Sequence, residues 1–165
     1  MLTALLTKEF GLIHARTEGV RRSGAKLAHA LQTLRMSEVH LVRGKEGWRL
    51  TGAQLQDDCF RDLSQEARVR AARVSGLLQR LLGKDISDTN AFDQYVEFVE
   101  ALRTLEHSQH DSAETLIALR LLHTLGIDAG IAPPLGYTLP ALEYAKVTKE
   151  GLVQRINTGI FASGL

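Results

Sequence analysis

Hydrophobic and polar positions alternate with a period of two along the first third of the chain, which predicts β-strands. Four segments follow this pattern: residues 3–7, 12–16, 38–42 and 48–51. They are expected to pair as two hairpins. Gly11 can take a positive φ in the first turn, and residues 43–47 supply two glycines to the second. The polar, glycine-containing segment 17–26 between the hairpins is expected to be a loop.

Beyond Asp57 the apolar period changes to 3.6, which predicts α-helices with leucine-rich buried faces. Each predicted helix is preceded by a candidate N-cap: Ser64, Asn90, Ser112 and Thr148. The first is expected to end near Gly83, the third at Gly126 and the last near Ser163. The proline-containing segment 131–140 is expected to be a connection. Arg68, Arg70 and Arg73 share a helix, and a solvated face is favoured there over a basic binding surface.

Charge divides the chain near the same place as the periodicity. Residues 1–55 hold nine basic and four acidic side chains, a net charge of +5, and the remainder carries −4. This asymmetry suggests that the first segment meets a polyanion, although a basic solvated surface has the same signature. A short basic β segment with glycine turns is typical of a small barrel such as the OB-fold, which binds single strands through basic grooves and aromatic side chains. Four strands are too few for a five-stranded barrel. We therefore predict an α+β protein with an incomplete OB-fold domain at residues 1–57 and a helical bundle domain at 58–165.

The candidate DNA contacts are the basic side chains and the single tryptophan of the first domain. Guanidinium groups suit bidentate phosphate contact, and Ser23 and Gly24 would let the backbone approach a phosphate. Trp48 has two open interpretations, stacking on a base or packing in the core or rim. Phe10 is expected in the core. The predicted DNA-binding set is Arg16, Arg21, Arg22, Lys26, Arg35, Arg43, Lys45, Trp48 and Arg49.

Motifs of catalysis are absent from the sequence, including the G-x-S-x-G elbow, the phosphate-binding P-loop and H-E-x-x-H. Cys59 is the only cysteine, so it can form neither an internal disulfide nor a multi-cysteine zinc site, and an inert, partly buried side chain is expected. His107, His110 and Asp111 could resemble metal ligands, but a solvated loop between helices is the favoured interpretation. We therefore expect a non-enzymatic protein with no cofactor and no metal.

No apolar run is long enough to span a membrane, and the first residues lack the basic start of a signal peptide. A cytoplasmic, nucleoid-associated protein without membrane partners is expected on these grounds.

Several segments resemble the bacterial recombination mediator family RecO, in the same order along the chain. Residues 5–22 (LLTKEFGLIHARTEGVRR) resemble the family's second and third strands and the basic turn after them. Residues 48–51 (WRLT) resemble its strand leaving the barrel, and residues 119–126 (LRLLHTLG) its leucine-rich helix ending at glycine. Two further segments are similar to the family, residues 27–32 (LAHALQ) and the C-terminal residues 156–165 (INTGIFASGL).

The resemblance implies an N-terminal OB-fold, a C-terminal helical domain and a function without catalysis. Members of the family bind single- and double-stranded DNA and anneal complementary strands. With RecR they help to load RecA on single strands coated by single-strand-binding protein. The family's DNA contacts on the basic OB face correspond to Arg21, Arg22 and Lys26. Arg16, Arg35 and Arg49 are added here from charge and placement alone.

Three departures from the family pattern qualify what the resemblance implies. The family's first strand is absent from the sequence, so either the start codon is misassigned or the barrel is open, with an edge that invites pairing with another chain. The segment 127–140 has no cysteine where many members carry a four-cysteine zinc module, so no zinc is predicted. Thr115 and Leu116 stand where members often have basic residues near a site for the acidic tail of single-strand-binding protein. A non-catalytic scaffold that has lost productive DNA binding is the alternative function; an enzyme is the third, with no residue nominated for it.

Overall fold

The computed structural model describes residues 2–17, 25–59, 61–83, 88 and 90–164, with the backbone alone at 25–27. Its first part is a four-stranded mixed sheet in the order β1-β2-β4-β3, and helices follow it. The strands are β1 (Leu2–Thr7), β2 (Gly11–Thr17), β3 (Met36–Gly44) and β4 (Gly47–Asp57). The helices are α1 (Ala25–Ala30), α2 (Gln65–Leu82), α3 (Asn90–Thr104), α4 (His110–Thr124), α5 (Leu139–Val147) and α6 (Lys149–Ala162), with a short 3-10 turn at His107–Gln109. The predicted α+β class is confirmed.

The first hairpin forms where the alternation predicts it. Gly11 has a φ of +66°, and a Cβ at this position would lie 3.0 Å from the backbone of Asp88. The Thr7 hydroxyl donates to the Gly11 carbonyl and accepts the N–H of Phe10, each at 3.0 Å. Glycine is therefore required here both by the turn and by the approach of the segment that precedes α3.

The second hairpin is longer than predicted. β4 extends to Asp57 rather than stopping near Thr51, and β3 begins at Met36. The strand prediction stopped early because β4 continues through Gly52 and Ala53, residue types that are depleted in strands. Pairing with β3, interrupted by register shifts near Ser37 and Leu41, holds this low-propensity stretch extended.

The two hairpins join through a parallel pairing of β2 with β4. α1 connects β2 to β3, so the predicted loop 17–26 is wrong at both ends. Thr17 belongs to β2, and the helix begins at Ala25. Residues 18–24 of that predicted loop lie outside the described residues.

The predicted helices exist, but two of their predicted caps are wrong. Ser64 does cap α2, since its hydroxyl accepts the N–H of Ala67 at 3.2 Å. Asn90 is already helical, and the Asp88 carboxylate accepts its N–H at 2.8 Å. Ser112 lies within the first turn of α4, which begins at His110. Thr148 is the N-cap residue of α6, as predicted, but its hydroxyl donates to the Tyr144 carbonyl at the end of α5 and not to the first turn of α6.

α5 was not predicted as a helix. It begins inside the segment 131–140 with Pro140 in its first turn, where the missing N–H of proline costs no helical hydrogen bond. The remainder of that segment is an irregular connection as expected.

The hydrophobic core is built around α4. Its side chains Leu116, Ile117, Leu119, Leu121 and Leu122 are fully buried. They lie on every side of the helix, because α4 packs against α2, α3, α5 and α6. Phe98 of α3 and Leu82 of α2 complete the set of large, fully buried side chains.

The sheet contacts this core at one end. Leu12 of β2 is buried within it, and Leu6 of β1 packs against it. At the other end Ala15, Leu50 and Ala30 are buried but do not belong to the main cluster. The change from strands to helices comes at Asp57, and the division into two domains there stays a prediction. None of the helices in the described parts of the chain is long and apolar enough to cross a membrane.

Candidate nucleic-acid interface

Three members of the predicted DNA-binding set cannot be placed as side chains. Arg21 and Arg22 lie outside the described residues. Lys26 lies in the first turn of α1, where only the backbone is described. The basic turn, which the resemblance places at the centre of DNA binding, therefore stays a prediction.

Two predicted residues form part of a row that crosses the whole sheet. Leu2 pairs with Arg16 between β1 and β2, Arg16 with Arg49 between β2 and β4, and Arg49 with Val42 between β4 and β3. Directly paired residues project from the same face of a sheet, and all four of these side chains are exposed. We call Leu2, Arg16, Arg49 and Val42 the arginine row.

The arginine row places two like charges on neighbouring strands. Like charges directly opposite each other destabilise a sheet. Arg16 forms an ion pair with Glu46 of the β3–β4 turn, which offsets part of this repulsion. Arg49 has no ion-pair partner among the described residues. An anion bound at the arginine row would therefore reduce the repulsion between Arg16 and Arg49.

Trp48 projects from the opposite face, because neighbouring residues of a strand alternate between faces. Its ring centroid lies 5.0 Å from that of Phe10 at a tilt of 47°, and the Arg43 guanidinium lies 5.5 Å from the Trp48 ring centroid. Trp48 is partly buried and Phe10 is 46% exposed. The expectation that Phe10 belongs to the core is wrong: it covers one side of Trp48 at the surface. The Trp48 ring packs at a rim, and its stacking on a base stays a prediction.

Arg43 and Lys45 flank the tip of the second hairpin, as the sequence predicts, and both are exposed. Lys45 lies in the turn beside Glu46, the partner of Arg16. The turn therefore lies close to the arginine row, and Arg43, Lys45, Arg16 and Arg49 are the exposed cations at this end of the sheet.

Arg35 is positioned differently from the other predicted contacts. Its guanidinium donates to the Asp58 carboxylate at 3.0 Å and to the His29 carbonyl at 2.8 Å, and only 14% of the side chain is exposed. These contacts tie the end of α1 to the segment after β4. Since the guanidinium is already engaged and shielded, we leave Arg35 out of the candidate interface.

The helical part carries a charge network rather than a basic extension of the sheet. Arg70 is partly buried against three acids and makes ion pairs with Glu66 at 2.8 Å, Glu114 at 2.5 Å and Asp111 at 3.5 Å. The expected solvated face is therefore wrong for Arg70, although Arg73 is largely exposed. Hydrogen bonding from Arg70 holds the pKa of Glu66 below its usual range.

The histidine segment is also more structured than expected. His110 is the first residue of α4 and is buried, with its Nε2 3.2 Å from the Leu105 carbonyl. The solvated-loop interpretation holds for His107, which is exposed and pairs with Glu66, but is wrong for His110. Lys149 of α6 lies 2.7 Å from Asp111 and holds the pKa of that carboxyl below its usual range. No three described His, Cys, Asp or Glu side chains are grouped as metal ligands.

Cys59 is buried, as predicted, beside the junction of sheet and helices. Burial, and secondarily the neighbouring Asp57 carboxylate, raise the pKa of its thiol. A raised pKa keeps the sulfur protonated and a poor nucleophile at neutral pH.

No family model matches the chain. The features that bear on function are thus the sheet topology, the arginine row and the cations of the second turn. These groups can hold phosphates by charge-assisted hydrogen bonds, and they include no arrangement of nucleophile and base. Alternation could have shown from sequence that Arg49 and Trp48 face apart. The Phe10 contact and the Arg35–Asp58 pair depend on tertiary packing and gave no sequence signal.

Proposed function

We propose that the chain is a DNA-binding recombination mediator that resembles RecO. It binds single- and double-stranded DNA and anneals complementary strands. With RecR it helps RecA to load on strands coated by single-strand-binding protein. It acts by binding, without catalysis.

The first support for this proposal is the topology of the sheet. An OB-fold is a five-stranded, partly open Greek-key barrel that binds oligonucleotides on its second and third strands and at the loop joining its fourth and fifth. If β1 to β4 are the second to fifth strands of such a barrel, β1 and β2 form the binding face and the turn at Lys45 is the binding loop. Arg16 lies on this face and Lys45 in this loop, while Arg49 lies on the strand that pairs with β2.

The observation that carries the proposal is the Arg16–Arg49 pairing across the parallel strands β2 and β4. Two adjacent guanidinium groups, only one of them neutralised by an acid, suit successive phosphates of a nucleic-acid backbone. If Arg16 and Arg49 served only the stability of the sheet, a carboxylate between them or an uncharged pair would be expected at these positions.

A salt titration with a matched control tests the proposal. Anisotropy of a labelled single-stranded oligonucleotide would be measured for the wild type, for Arg16→Ala/Arg49→Ala and for Arg73→Ala/Arg80→Ala. The control removes the same charge from exposed positions of α2. We expect the sheet variant to weaken binding and to flatten the slope of log K against log salt by about 1.4, and the control to leave both near wild type.

The outcomes distinguish binding that depends on net charge alone from binding at the arginine row. Equal losses in both variants would show that net charge alone drives binding and would overturn the proposed interface. No binding by the wild type at low salt would overturn the DNA-binding function. Annealing of two complementary oligonucleotides, followed by fluorescence quenching, then distinguishes a mediator from a simple DNA-binding protein.

The partners of the proposal rest on the resemblance alone. Thr115 and Leu116, where the family often has basic residues, are buried in α4. These positions do not present charge to an acidic tail, so the proposal does not extend to a tail site there. A non-catalytic scaffold is the second candidate function, favoured by the outer strands β1 and β3, whose outer edges pair with no other strand in the described residues.

A further inference from the structure

An acidic side chain of the second hairpin turn reaches back to the arginine row. Gly44 and Gly47 pair directly, so Lys45 and Glu46 form a two-residue turn at the tip of the hairpin. From this turn the Glu46 carboxylate accepts a hydrogen bond from the Arg16 guanidinium on β2. The guanidinium that the proposed function assigns to a phosphate is therefore occupied by a carboxylate of the same chain.

The contact between Arg16 and Glu46 lies at the surface. The two side chains are 57% and 76% exposed, so water screens their attraction, and ion pairs of this kind are weak. The turn is also open on its outer side: a Cβ built at Gly47, which has a φ of +100°, would meet no described atom within 4 Å. Glu46 can therefore give up its place on Arg16 without disturbing the packing of the sheet.

The two guanidinium groups of the arginine row thus differ in what a phosphate meets. Arg49 has no ion-pair partner among the described residues, whereas Arg16 is already paired. The Glu46 carboxylate weakens phosphate binding in two ways. Its contact with Arg16 must be broken, and its negative charge stays close to the incoming phosphate and repels it.

We propose that Glu46 is an intramolecular competitor of DNA, which occupies Arg16 until a phosphate displaces it and so sets the affinity of the arginine row. This inference rests on the proposed function. A strand whose first phosphate is held by Arg49 carries its next phosphate close to Arg16. The exchange with Glu46 is then an intramolecular step at high effective concentration, whereas an isolated phosphate would compete from solution.

Removing the competing charge tests the inference. Anisotropy of the labelled single-stranded oligonucleotide would be measured at low salt for the wild type, Glu46→Gln and Glu9→Gln. Glu9 is exposed in the turn before β2, at the opposite end of that strand from Arg16, so its change removes the same charge as a control. We expect Glu46→Gln to tighten binding by about threefold to tenfold, and Glu9→Gln to stay within about twofold of wild type.

A double-mutant cycle tests whether Glu46 acts through Arg16. In an Arg16→Ala background the guanidinium for which Glu46 competes is absent, so Glu46→Gln should change the affinity by less than about twofold. Circular dichroism checks that each variant keeps the wild-type fold.

The outcomes separate this inference from the proposed function. Binding by the wild type that Glu46→Gln leaves unchanged would overturn the inference and keep the DNA-binding function. Equal gains in Glu46→Gln and Glu9→Gln, or a gain that persists in the Arg16→Ala background, would assign the effect to net charge and also overturn it. Binding by Glu46→Gln but not by the wild type would support the inference in its strongest form. No binding by either chain at low salt would overturn both proposals.

Discussion

The sheet and the helical part of this protein use their side chains in different ways. The large, fully buried side chains all belong to helices, most of them to α4, whereas the sheet buries the small Ala15 and a few aliphatic residues. The sheet instead exposes the arginine row, Phe10 and two free edges. The difference indicates that stability is concentrated in the helices, and it leaves the exposed side chains of the sheet for the proposed recognition surface.

The largest loss of stability is expected when a buried side chain of the helical core is truncated. Phe98 is fully buried on α3, so Phe98→Ala should lower the free energy of unfolding by about 3–5 kcal/mol. Phe161 is 86% exposed on α6, and Phe161→Ala should change it by less than about 0.5 kcal/mol. Urea unfolding followed by circular dichroism measures both. A loss for Phe98→Ala as small as that for Phe161→Ala would show that α3 is not part of the stabilising core.

A smaller effect is expected at the ion pair joining the end of α4 to α6. Arg155 donates to both Asp128 carboxylate oxygens, at 3.2 and 2.6 Å, and the Asp128 side chain is 7% exposed. Asp128→Asn should cost about 2 kcal/mol at neutral pH, less than a fully buried pair because Arg155 is partly exposed. Asp93→Asn, at the exposed and loose pair with Lys8, should cost less than about 0.5 kcal/mol.

The pH dependence sharpens the same prediction. Hydrogen bonds from Arg155 hold the pKa of Asp128 below its usual range. A carboxyl with a lowered folded-state pKa stabilises the fold above its unfolded value, about 4, and this contribution is lost as the pH falls through the folded value. The difference between wild type and Asp128→Asn in urea midpoints should therefore shrink from neutral pH to about pH 3. A constant difference would contradict the ion pair as its cause.

The smallest effect is expected at the aromatic pair of the sheet. Phe10→Ala removes the ring that covers Trp48 and should cost at most about 1 kcal/mol. Because Trp48 gains contact with water, its emission should shift to longer wavelength, while Phe161→Ala should leave the emission unchanged. An unshifted spectrum in Phe10→Ala would show that Phe10 does not shield the indole ring.

The sequence predicted the helices better than the candidate site, for physical reasons. The apolar period of α2, and the leucines of α4 up to its stop at Gly126, are local signals. The start of α4 was misplaced because Ser112 is a favourable cap type, whereas His110 is held in the helix by burial. The Glu66–Arg70 spacing on α2 was visible as an i, i+4 pair, but Asp111 and Glu114 join it only through tertiary packing.

At the site, alternation along β4 was sufficient to separate Trp48 from Arg49. The partner of Arg49 was not predictable, because a parallel pairing with β2 has no turn to fix its register. Arg35 appeared as one more cation in the sequence, and only the folded chain brings it to Asp58. The basic turn at Arg21 and Arg22 stays a prediction.

The parallel pairing of β2 with β4 also bears on the order in which the chain folds. Arg16 and Arg49 are 33 positions apart in the sequence, whereas α4 meets α3 and α5 as near neighbours along the chain. Contacts between distant segments close large loops and form slowly, and local helical contacts form quickly. We therefore expect each hairpin and the contacts of α4 with α3 and α5 to form first, and the two hairpins to dock side by side in a later, slower kinetic phase.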